Sequence, residues 1–237
     1  ITPLHQEIRS ADLLIAFGGD GTILHLARTV ALHSVPVLGV NLGSLGSMSE
    51  LEVDELDRLR DLADWSFDVE SRMMLDVSVL RGGKSVYNNI ALNDAVISKG
   101  SIARVVRLNI FTEEGQLTKV GGDGIIASTP TGSTGYSMAA GGPIVEPTAR
   151  NLLLTPICPH SLHARSVLLS PQVKLEVCGR YADNLDRLVV SVDGERVHPL
   201  ECGRKVRIQR AEQAAHFIQF PEKTFNGILN VKLKSWA

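Results

Sequence analysis

The pattern of hydrophobic and polar positions divides the chain into two parts near residue 70. Before that point, residues 12–17 and 35–40 form short apolar runs typical of buried strands, and residues 22 to about 32 place apolar side chains at helical spacing. Strand, helix and strand in this order predict a βαβ unit with a parallel sheet and a right-handed crossover. Thr22 is the predicted capping residue of the helix.

After residue 70 the pattern changes to short runs with period-two alternation and glycine-containing turns. The predicted strands are 74–80, 91–97, 105–111, 175–177, 188–192 and 206–208. Closely spaced short strands favour a sandwich of antiparallel strands. The polar segment 52–63 is helix-like, with leucines on one face. The sequence therefore predicts an α/β N-terminal domain followed by an all-β sandwich, which is α+β overall.

Composition narrows the classes of partner. The net charge is −2, from 24 basic and 26 acidic residues, which argues against a nucleic-acid partner and an anionic membrane surface. Cys158, Cys178 and Cys202 are too few and too scattered for a disulfide framework or a zinc site, so we expect a reducing cytoplasm. No apolar stretch is long enough to span a bilayer. Because the chain begins with Ile1, we expect it to be a fragment or a processed form.

The first candidate site is the turn Gly18-Gly19-Asp20-Gly21-Thr22, between the first strand and the helix. A glycine turn at a helix N-terminus presents backbone N–H groups that bind phosphate. Asp20 would repel that anion unless it binds Mg²⁺ or accepts a proton from an attacking hydroxyl. The alternative is an ordinary Asp-Gly turn.

Asn93 and Asp94 form the second candidate site, because they interrupt the apolar run 90–97. An amide beside a carboxylate suits the two hydroxyls of a ribose. An Asx turn at a strand end is the alternative.

The third candidate site is the segment 123–143, which begins with Asp123 and is rich in hydroxyl side chains, among them Ser128, Thr131 and Thr134. These groups offer uncharged donors and acceptors to an amide or a sugar, and the ring of Tyr136 offers a face for stacking. The alternative is a Ser/Thr loop on the surface, which the surrounding apolar residues disfavour.

A fourth segment, 156–165, contains two histidines three positions apart, His160 and His163. A third ligand at a diagnostic spacing is not evident, so a structural role is favoured over a metal site, and the metal ligands stay unknown. Arg165 is a candidate for binding a phosphate or a carboxylate.

Taken in order, these motifs resemble those of the NAD kinase family over almost the whole chain. The segments that carry the resemblance are 18–22, 41–46, 92–94, 123–136, 141–145, 159–162 and 192–194. The Ser-Thr-Pro-Thr-Gly segment is highly specific, whereas the Gly-Gly-Asp-Gly-Thr turn is shared with lipid kinases of the diacylglycerol kinase type and with phosphofructokinase-like enzymes.

The resemblance implies transfer of the γ-phosphate of ATP, or of polyphosphate, to the 2′-hydroxyl of the adenosine ribose of NAD, which yields NADP. It also implies a Rossmann-like N-terminal domain, a C-terminal β-sandwich domain, Mg²⁺ or another divalent metal, and a homodimer or homotetramer with NAD near a subunit interface. The expected domains are 1–70 and 71–220, with a C-terminal helix within 221–237 that packs back on the first.

The same resemblance implies residue roles. Asp20 matches the general base. Gly18, Gly19, Gly21 and Thr22 match the phosphate turn. Asn93 and Asp94 match the pair that holds NAD hydroxyls. Asp123, Thr134 and Tyr136 match the loop that grips the two ends of NAD, and Ser128, Thr131 and Arg165 complete the predicted nucleotide-binding set.

The chain departs from the family pattern at several points. Asp94 stands where glutamate is usual, Ser47-Met48 where an aromatic residue is usual, and Gly135 where alanine is usual. The strand that precedes the first motif in the family is expected to be absent, since only 17 residues come before Gly18.

Two other functions share some of these features. A lipid kinase would use the same glycine turn but would need a lipid-accepting groove, and the polar 128–137 segment fits a dinucleotide better. A non-catalytic NAD-binding module would keep the 123–136 segment and lose Asp20, which is present.

Overall fold

The computed structural model of the chain describes residues 7–43, 46, 48–100, 105–179, 188–195, 197–221, 224, 225, 227 and 229. The chain divides into two compact units, the first formed by Ile1–Arg72 with Gln213–Ala237 and the second by Met73–Glu212. The segment 213–220, which we assigned to the second domain, therefore belongs to the first unit. The physical reason is packing, because Ile218 and Phe220 are buried against Leu38, Val40 and Leu51 of the first unit.

The first unit contains the predicted βαβ motif. Its elements are β1 (Leu14–Phe17), α1 (Asp20–Ala31), β2 (Val37–Asn41), β3 (Leu51–Glu52) and a 3₁₀ helix (Val53–Leu62). Strand β1 pairs with β2 in parallel, from Leu14 with Val37 to Phe17 with Val40. Strand β3 also pairs with β2 in parallel. The prediction of a parallel sheet with an intervening helix is confirmed.

Helix α1 begins two residues earlier than the sequence pattern predicted. Gly19 is the N-cap residue, with an extended backbone and without a side-chain capping bond. The prediction that Thr22 caps the helix is therefore wrong. Asp20 occupies the first turn, where a negative charge interacts favourably with the helix dipole.

The polar segment after β3 is helical, although as a 3₁₀ helix. Glu52 and Glu55 form a capping box, in which the Glu52 N–H donates to Glu55 Oε2 at 2.9 Å. The predicted apolar face packs on the core of the first unit through Leu56, Leu59 and Leu62.

The second unit is built from antiparallel strands arranged in two sheets. Its strands are β4 (Asp68–Arg81), β5 (Lys84–Ala91), β6 (Asp94–Lys99), β7 (Val106–Thr112), β8 (Gly115–Gly122), β9 (Gly124–Ser128), β10 (Leu152–Ile157), β11 (Val167–Leu169), β12 (Leu175–Gly179), β13 (Leu188–Val192), β14 (His198–Leu200) and β15 (Arg204–Gln219). A second 3₁₀ helix (Thr131–Thr134) and the short helix α2 (Tyr136–Ala139) follow β9. Strands β4 and β15 each continue into the first unit.

The two sheets enclose one apolar core, as the sandwich prediction requires. One sheet has the order β11-β10-β9-β6-β13-β14, and the other includes β15-β12-β7-β8. Side chains from both sheets meet in a cluster that includes Ile97, Ile125 and Val190 from the first of them and Leu108 and Val177 from the other. Burial of each such side chain contributes roughly 1.5–3 kcal/mol to folding.

Three further predictions concern membrane-spanning helices, the cysteines and the C-terminal helix. No helix among the described residues is long and apolar enough to cross a membrane. Cys158, Cys178 and Cys202 are free thiols. The C-terminal helix predicted within 221–237 lies for the most part outside the described residues.

Candidate functional site

The glycine turn of the first unit places Asp20 at the start of α1. The Gly18 N–H donates to the Val40 carbonyl at 2.9 Å, which ties the turn to the neighbouring strand β2. A Cβ at Gly18 would lie 2.8 Å from the Cβ of Thr22, so the turn requires glycine there. At Gly19 and Gly21 a Cβ would meet nothing within 4 Å, which leaves the outer side of the turn open. This open, N-terminal side of the helix is suited to an anion.

The Asp20 carboxylate is held from the loop after β2. Asp20 Oδ1 accepts a hydrogen bond from the Met48 N–H at 3.1 Å. Gly46 packs beside the same oxygen, since a Cβ at that position would come within 2.5 Å of Asp20 Oδ1. The Asn-Leu-Gly motif at 41–43 stabilises the loop further, with the Asn41 Nδ2 donating to Glu52 Oε2 at 2.9 Å. Ser47, one of the departures from the family pattern, lies outside the described residues.

In the second unit, Asn93 and Asp94 lie at a break between two strands. Strand β5 ends at Ala91 and strand β6 begins at Asp94, so the predicted continuous strand 91–97 is interrupted at the polar pair. The Asn93 carbonyl accepts from the Thr129 N–H at 2.9 Å, which joins this turn to the hydroxyl-rich segment. The two predicted binding segments are therefore in direct contact.

Asp193 is a residue of this site that sequence reasoning did not assign. Its carboxylate accepts hydrogen bonds from the N–H groups of Leu92, Asn93 and Asp94, at 2.8, 2.8 and 2.9 Å. About 100 positions separate these partners in sequence. The only signal available was the Val-Asp-Gly motif itself, whose carboxylate sits in a turn with positive φ at Asp193.

Burial makes the carboxyl of Asp94 an unusually weak acid. Its side chain is buried, and this burial, together with the nearby negative charge of Asp193, raises the pKa of Asp94 to about 7. Below that pH the group is protonated, so it can donate one hydrogen bond to a ligand hydroxyl and accept another.

This shift predicts a pH dependence of stability. Between the ordinary value of 3.8 and about 7, the folded chain binds the Asp94 proton and the unfolded chain does not. The free energy of unfolding should therefore fall as the pH rises through this window, by on the order of 4 kcal/mol from this group. Urea denaturation at several pH values would measure the slope. The Asp94→Asn variant should show a flatter dependence of the free energy of unfolding on pH. The control is Glu114→Gln, which replaces an exposed acid of the same unit and should keep the wild-type slope. Equal slopes in the two variants would show that Asp94 is not the source of the pH dependence.

The hydroxyl-rich segment is more ordered than the predicted loop. Residues 124–128 form the buried strand β9, and residues 131–134 form a 3₁₀ helix. Ser128 Oγ and Thr131 Oγ1 are buried and have no hydrogen-bond partner among the described residues. Ser133, in contrast, bonds both the N–H and the carbonyl of Val145. Ser128 and Thr131 are thus the members of the segment whose hydroxyls remain to be satisfied by a ligand or by water.

Tyr136 and the Asn93–Asp94 turn line one cavity of about 350 Å³. Val96, Ser191, Asp193 and Gly194 complete its lining. Tyr136 is 47% exposed, so part of its side chain is accessible for stacking on a base. Thr134, two residues before Tyr136, is half-buried, and its hydroxyl lies 3.5 Å from the Thr131 carbonyl.

Asp123 lies at the opposite end of the same strands. Its Oδ1 accepts from Lys99 Nζ at 2.6 Å, an ion pair that the sequence did not predict. At one end of the paired strands β6 and β9, Asp94 lies opposite Ser128. At the other end, the Lys99 N–H donates to the Asp123 carbonyl. Five strand residues at a rise of about 3.3 Å separate the two ends by about 16 Å. The prediction of one continuous loop from Asp123 to Tyr136 is therefore wrong, because strand β9 separates the two residues.

Arg165 belongs to the Asp123 end of the unit. It is exposed, and its guanidinium donates to the carbonyls of Leu162 and Ala164, both at 2.8 Å. With Lys119 and His163 it lines a second cavity of about 310 Å³. His160 is exposed and tied through its backbone to Gly121. Among the described residues no group of three or more His, Cys, Asp or Glu side chains is placed to hold a metal ion.

Comparison with known proteins relates both units to one family. A protein-family model described as the ATP-NAD kinase N-terminal domain matches residues 4–63, and one described as the ATP-NAD kinase C-terminal domain matches residues 92–220. The chain is 42% identical over 226 residues to an NAD kinase of Desulforamulus reducens, covering 95% of this chain and 78% of that protein. It is 43% identical over 233 residues to an NAD kinase of Trichlorobacter lovleyi, covering 97% and 81%.

Solved structures agree with this relationship. Yeast NADH kinase, solved in complex with NADH, superposes with a TM-score of 0.88 at 29% identity, covering 97% of this chain and 68% of that one. An NAD kinase from Archaeoglobus fulgidus, solved in complex with ATP, superposes with a TM-score of 0.78 at 25% identity, covering 95% and 84%. The chain belongs to the ATP-NAD kinase family.

Proposed function

We propose that this chain transfers the γ-phosphate of ATP to the 2′-hydroxyl of the adenosine ribose of NAD and so forms NADP. The observation that carries the proposal is the position of Asp20 in the first turn of α1. Its carboxylate accepts a hydrogen bond from the Met48 N–H, and it lies beside glycines whose outer side is open. The family match to both units supports the same reaction.

The reaction asks for proton acceptance at the attacking hydroxyl and for positioning of the phosphates. A carboxylate is a far weaker base than a ribose alkoxide, so Asp20 would orient the 2′-hydroxyl and accept its proton late, as bond formation to phosphorus proceeds. Backbone N–H groups of the Gly18–Thr22 turn would bind the phosphates of ATP.

The second unit supplies the groups suited to a dinucleotide. Asn93 and a protonated Asp94 would bind adjacent ribose hydroxyls, and Tyr136 would stack on a base. Ser128 and Thr131 hold buried hydroxyls without partners among the described residues, which a ligand amide or hydroxyl would satisfy. Polar groups that need a partner of this kind favour a dinucleotide over the acyl chains of a lipid.

We also propose Mg²⁺, or another divalent metal, as the cofactor that enters with ATP. Mg²⁺ is commonly bound by one or two carboxylates together with substrate phosphates and water. Asp20 is the carboxylate beside the phosphate turn, and the metal would neutralise phosphate charge during transfer.

The separation of Asp123 and Arg165 from the Asn93–Asp94 cavity leads us to propose a homo-oligomer, a homodimer or homotetramer. Strands β8 and β11 are the outer strands of their sheets at this end. They expose Leu117 and Val167, which line the same cavity as Arg165, and Leu168, which follows Val167 in β11. Exposed apolar side chains on an edge strand form a surface that a second copy can cover. The Asp123 end of one copy would then complete the dinucleotide site of another.

This arrangement is tested by the mass of the protein in solution. Leu168→Glu places a charge on the exposed edge strand β11, and we expect it to convert the oligomer to a smaller species in light scattering after size exclusion. Val86→Glu makes the same change at another exposed position of the second unit and should leave the mass unchanged. A wild-type chain that is monomeric, or a Leu168 variant with the wild-type mass, would contradict the proposed interface.

Localisation in the cytoplasm is part of the proposal. Three free cysteines, one of them half-buried and two exposed, are compatible with a reducing compartment.

The activity is tested by incubating the chain with ATP, MgCl₂ and NAD and measuring NADP with an NADP-specific dehydrogenase. We expect NADP to accumulate, and we expect diacylglycerol to remain unphosphorylated under the same conditions. Replacement of ATP by polyphosphate tests the alternative donor. Binding of NAD without NADP formation would favour a non-catalytic NAD-binding module instead.

A further inference from the structure

The turn between β13 and β14 holds the backbone of the Asn93–Asp94 turn through a single side chain. The Asp193 carboxylate accepts three successive N–H groups, with Oδ2 bonded to Leu92 and Oδ1 to Asn93 and Asp94, at 2.8 to 2.9 Å. The Asp193 N–H donates in return to the Asp94 carbonyl at 2.9 Å. Four hydrogen bonds thus join two segments that are about 100 residues apart in the chain.

These hydrogen bonds stabilise one conformation of the Asn93–Asp94 turn. Hydrogen bonds to an ionised carboxylate are roughly twice as strong as those between neutral groups. Asp193 also adopts a φ of +49°, a left-handed conformation that few residues other than glycine, Asn and Asp accept. The left-handed conformation of Asp193 and its hydrogen bonds together fix one arrangement of the Asn93–Asp94 turn. Asp193 lines the same cavity as Asn93, Asp94 and Tyr136, so the fixed arrangement faces the candidate ligand.

We infer that Asp193 is a positioning residue for NAD: it sets the backbone of residues 92–94 so that the Asn93 amide and the Asp94 carboxyl meet adjacent hydroxyls of a ribose. The inference rests on the proposed function for the identity of the ligand. Asp193 would act on NAD indirectly: its hydrogen bonds would orient Asn93 and Asp94, and its charge would affect the protonation of Asp94.

The charge of Asp193 gives this role a measurable effect on the pKa of Asp94, which a purely structural residue would not have. Its negative charge lies beside Asp94 and, with burial, raises the pKa of that carboxyl to about 7. Among the described residues that line the cavity, the other titratable group is Tyr136, and the β9 residue paired with Asp94 is the uncharged Ser128. Removal of the charge of Asp193 should therefore move the protonation of Asp94 to lower pH.

The experiment compares three substitutions at this position in the full chain. Asp193→Asn keeps a side chain that accepts positive φ, but its amide nitrogen cannot accept the Leu92 N–H, and it removes the charge. We expect the KM for NAD to rise about 10- to 100-fold, because a hydrogen bond to a charged group contributes roughly 1.5–3 kcal/mol and a tenfold change corresponds to about 1.4 kcal/mol. The KM for ATP should stay within about twofold of wild type. The pH midpoint of kcat/KM for NAD should fall from near 7.

Asp193→Glu separates geometry from charge. It retains the negative charge and displaces the carboxylate by one methylene, so the KM for NAD should rise with little change of the pH midpoint. Asp193→Ala should show both effects, with the larger increase in KM. Glu195→Gln, in the same turn, is the matched control: its side chain accepts from Asn89 rather than from residues 92–94, so both quantities should stay at wild-type values.

The outcomes are distinguishable from failure of the proposed function. A wild-type chain without NADP formation would refute the kinase assignment, whereas an active wild type with an unchanged Asp193→Asn variant would refute the role of Asp193 alone. Equal increases of the KM for NAD and for ATP at an unchanged pH midpoint would indicate general damage to the fold and would likewise overturn the inference.

Discussion

Replacement of Asp20 by asparagine should lower kcat by about 10²–10⁴-fold, the usual contribution of a general base, and leave NAD binding within a few-fold of wild type. The asparagine Oδ1 can still accept the Met48 N–H, so the side chain should keep its place beside Gly46. What the variant loses is the capacity to take the proton of the attacking hydroxyl. Calorimetric titration with NAD, together with steady-state kinetics, would separate the two effects.

The matched control for this prediction is Asp57→Asn. Asp57 is an acid of the same unit whose side chain is 94% exposed, and its removal should leave kcat unchanged. An Asp20→Asn variant that keeps near-wild-type kcat would show that Asp20 is not the base. A variant that no longer binds NAD would show instead that Asp20 acts in binding.

Gly132→Ala should damage both the stability of the second unit and the binding of NAD. A Cβ at Gly132 would lie 2.8 Å from the Cα of Asn93 and 2.5 Å from its carbonyl carbon, so the clash is with backbone and cannot be relieved by a rotamer change. The two segments are also bonded to each other, through Thr129 N to the Asn93 carbonyl and Thr129 Oγ1 to the Leu92 carbonyl. We expect a loss of about 1–3 kcal/mol in the free energy of unfolding, typical of overpacking, and a higher KM for NAD.

Gly135→Ala provides the comparison, three residues further along the chain. Its Cβ would approach its nearest neighbour, the Gly132 carbonyl, at 3.4 Å, which is an ordinary contact. We expect denaturant unfolding and the KM for NAD to remain close to wild type in this variant. If Gly132→Ala were as stable and as active as Gly135→Ala, the close packing of the hydroxyl segment on the Asn93–Asp94 turn would not be a feature of the working site.

Local periodicity was sufficient to predict most of the fold. The parallel βαβ unit and the antiparallel sandwich follow from apolar runs and turns that act over a few residues. The start of α1 was placed late because Thr22 is a better capping side chain than glycine, whereas the N-cap is Gly19, which makes no side-chain capping bond. The packing of 213–220 with the first unit could not be predicted, because its burial against Leu38 and Leu51 depends on contacts across most of the chain.

The candidate site shows the same division between local and distant information. Asp20, Asn93 and Asp94 stand out because each interrupts an apolar run at a turn. The role of Asp193 depends on partners about 100 residues away, so its motif gave no indication of the hydrogen bonds it makes. The ion pair of Asp123 with Lys99, and the distance between Asp123 and Asp94, arise from the pairing of β6 with β9, which local sequence patterns do not show.

The most direct test of the account follows the γ-phosphate itself. The chain is incubated with NAD, MgCl₂ and ATP labelled at the γ-phosphorus, and the dinucleotide product is isolated and its phosphate position determined by phosphorus and proton NMR. We expect the label to appear in NADP, at the 2′-oxygen of the adenosine ribose, and we expect the Asp20→Asn variant to form NADP at least about 100-fold more slowly. Label that is recovered only in ATP or in inorganic phosphate would contradict this expectation.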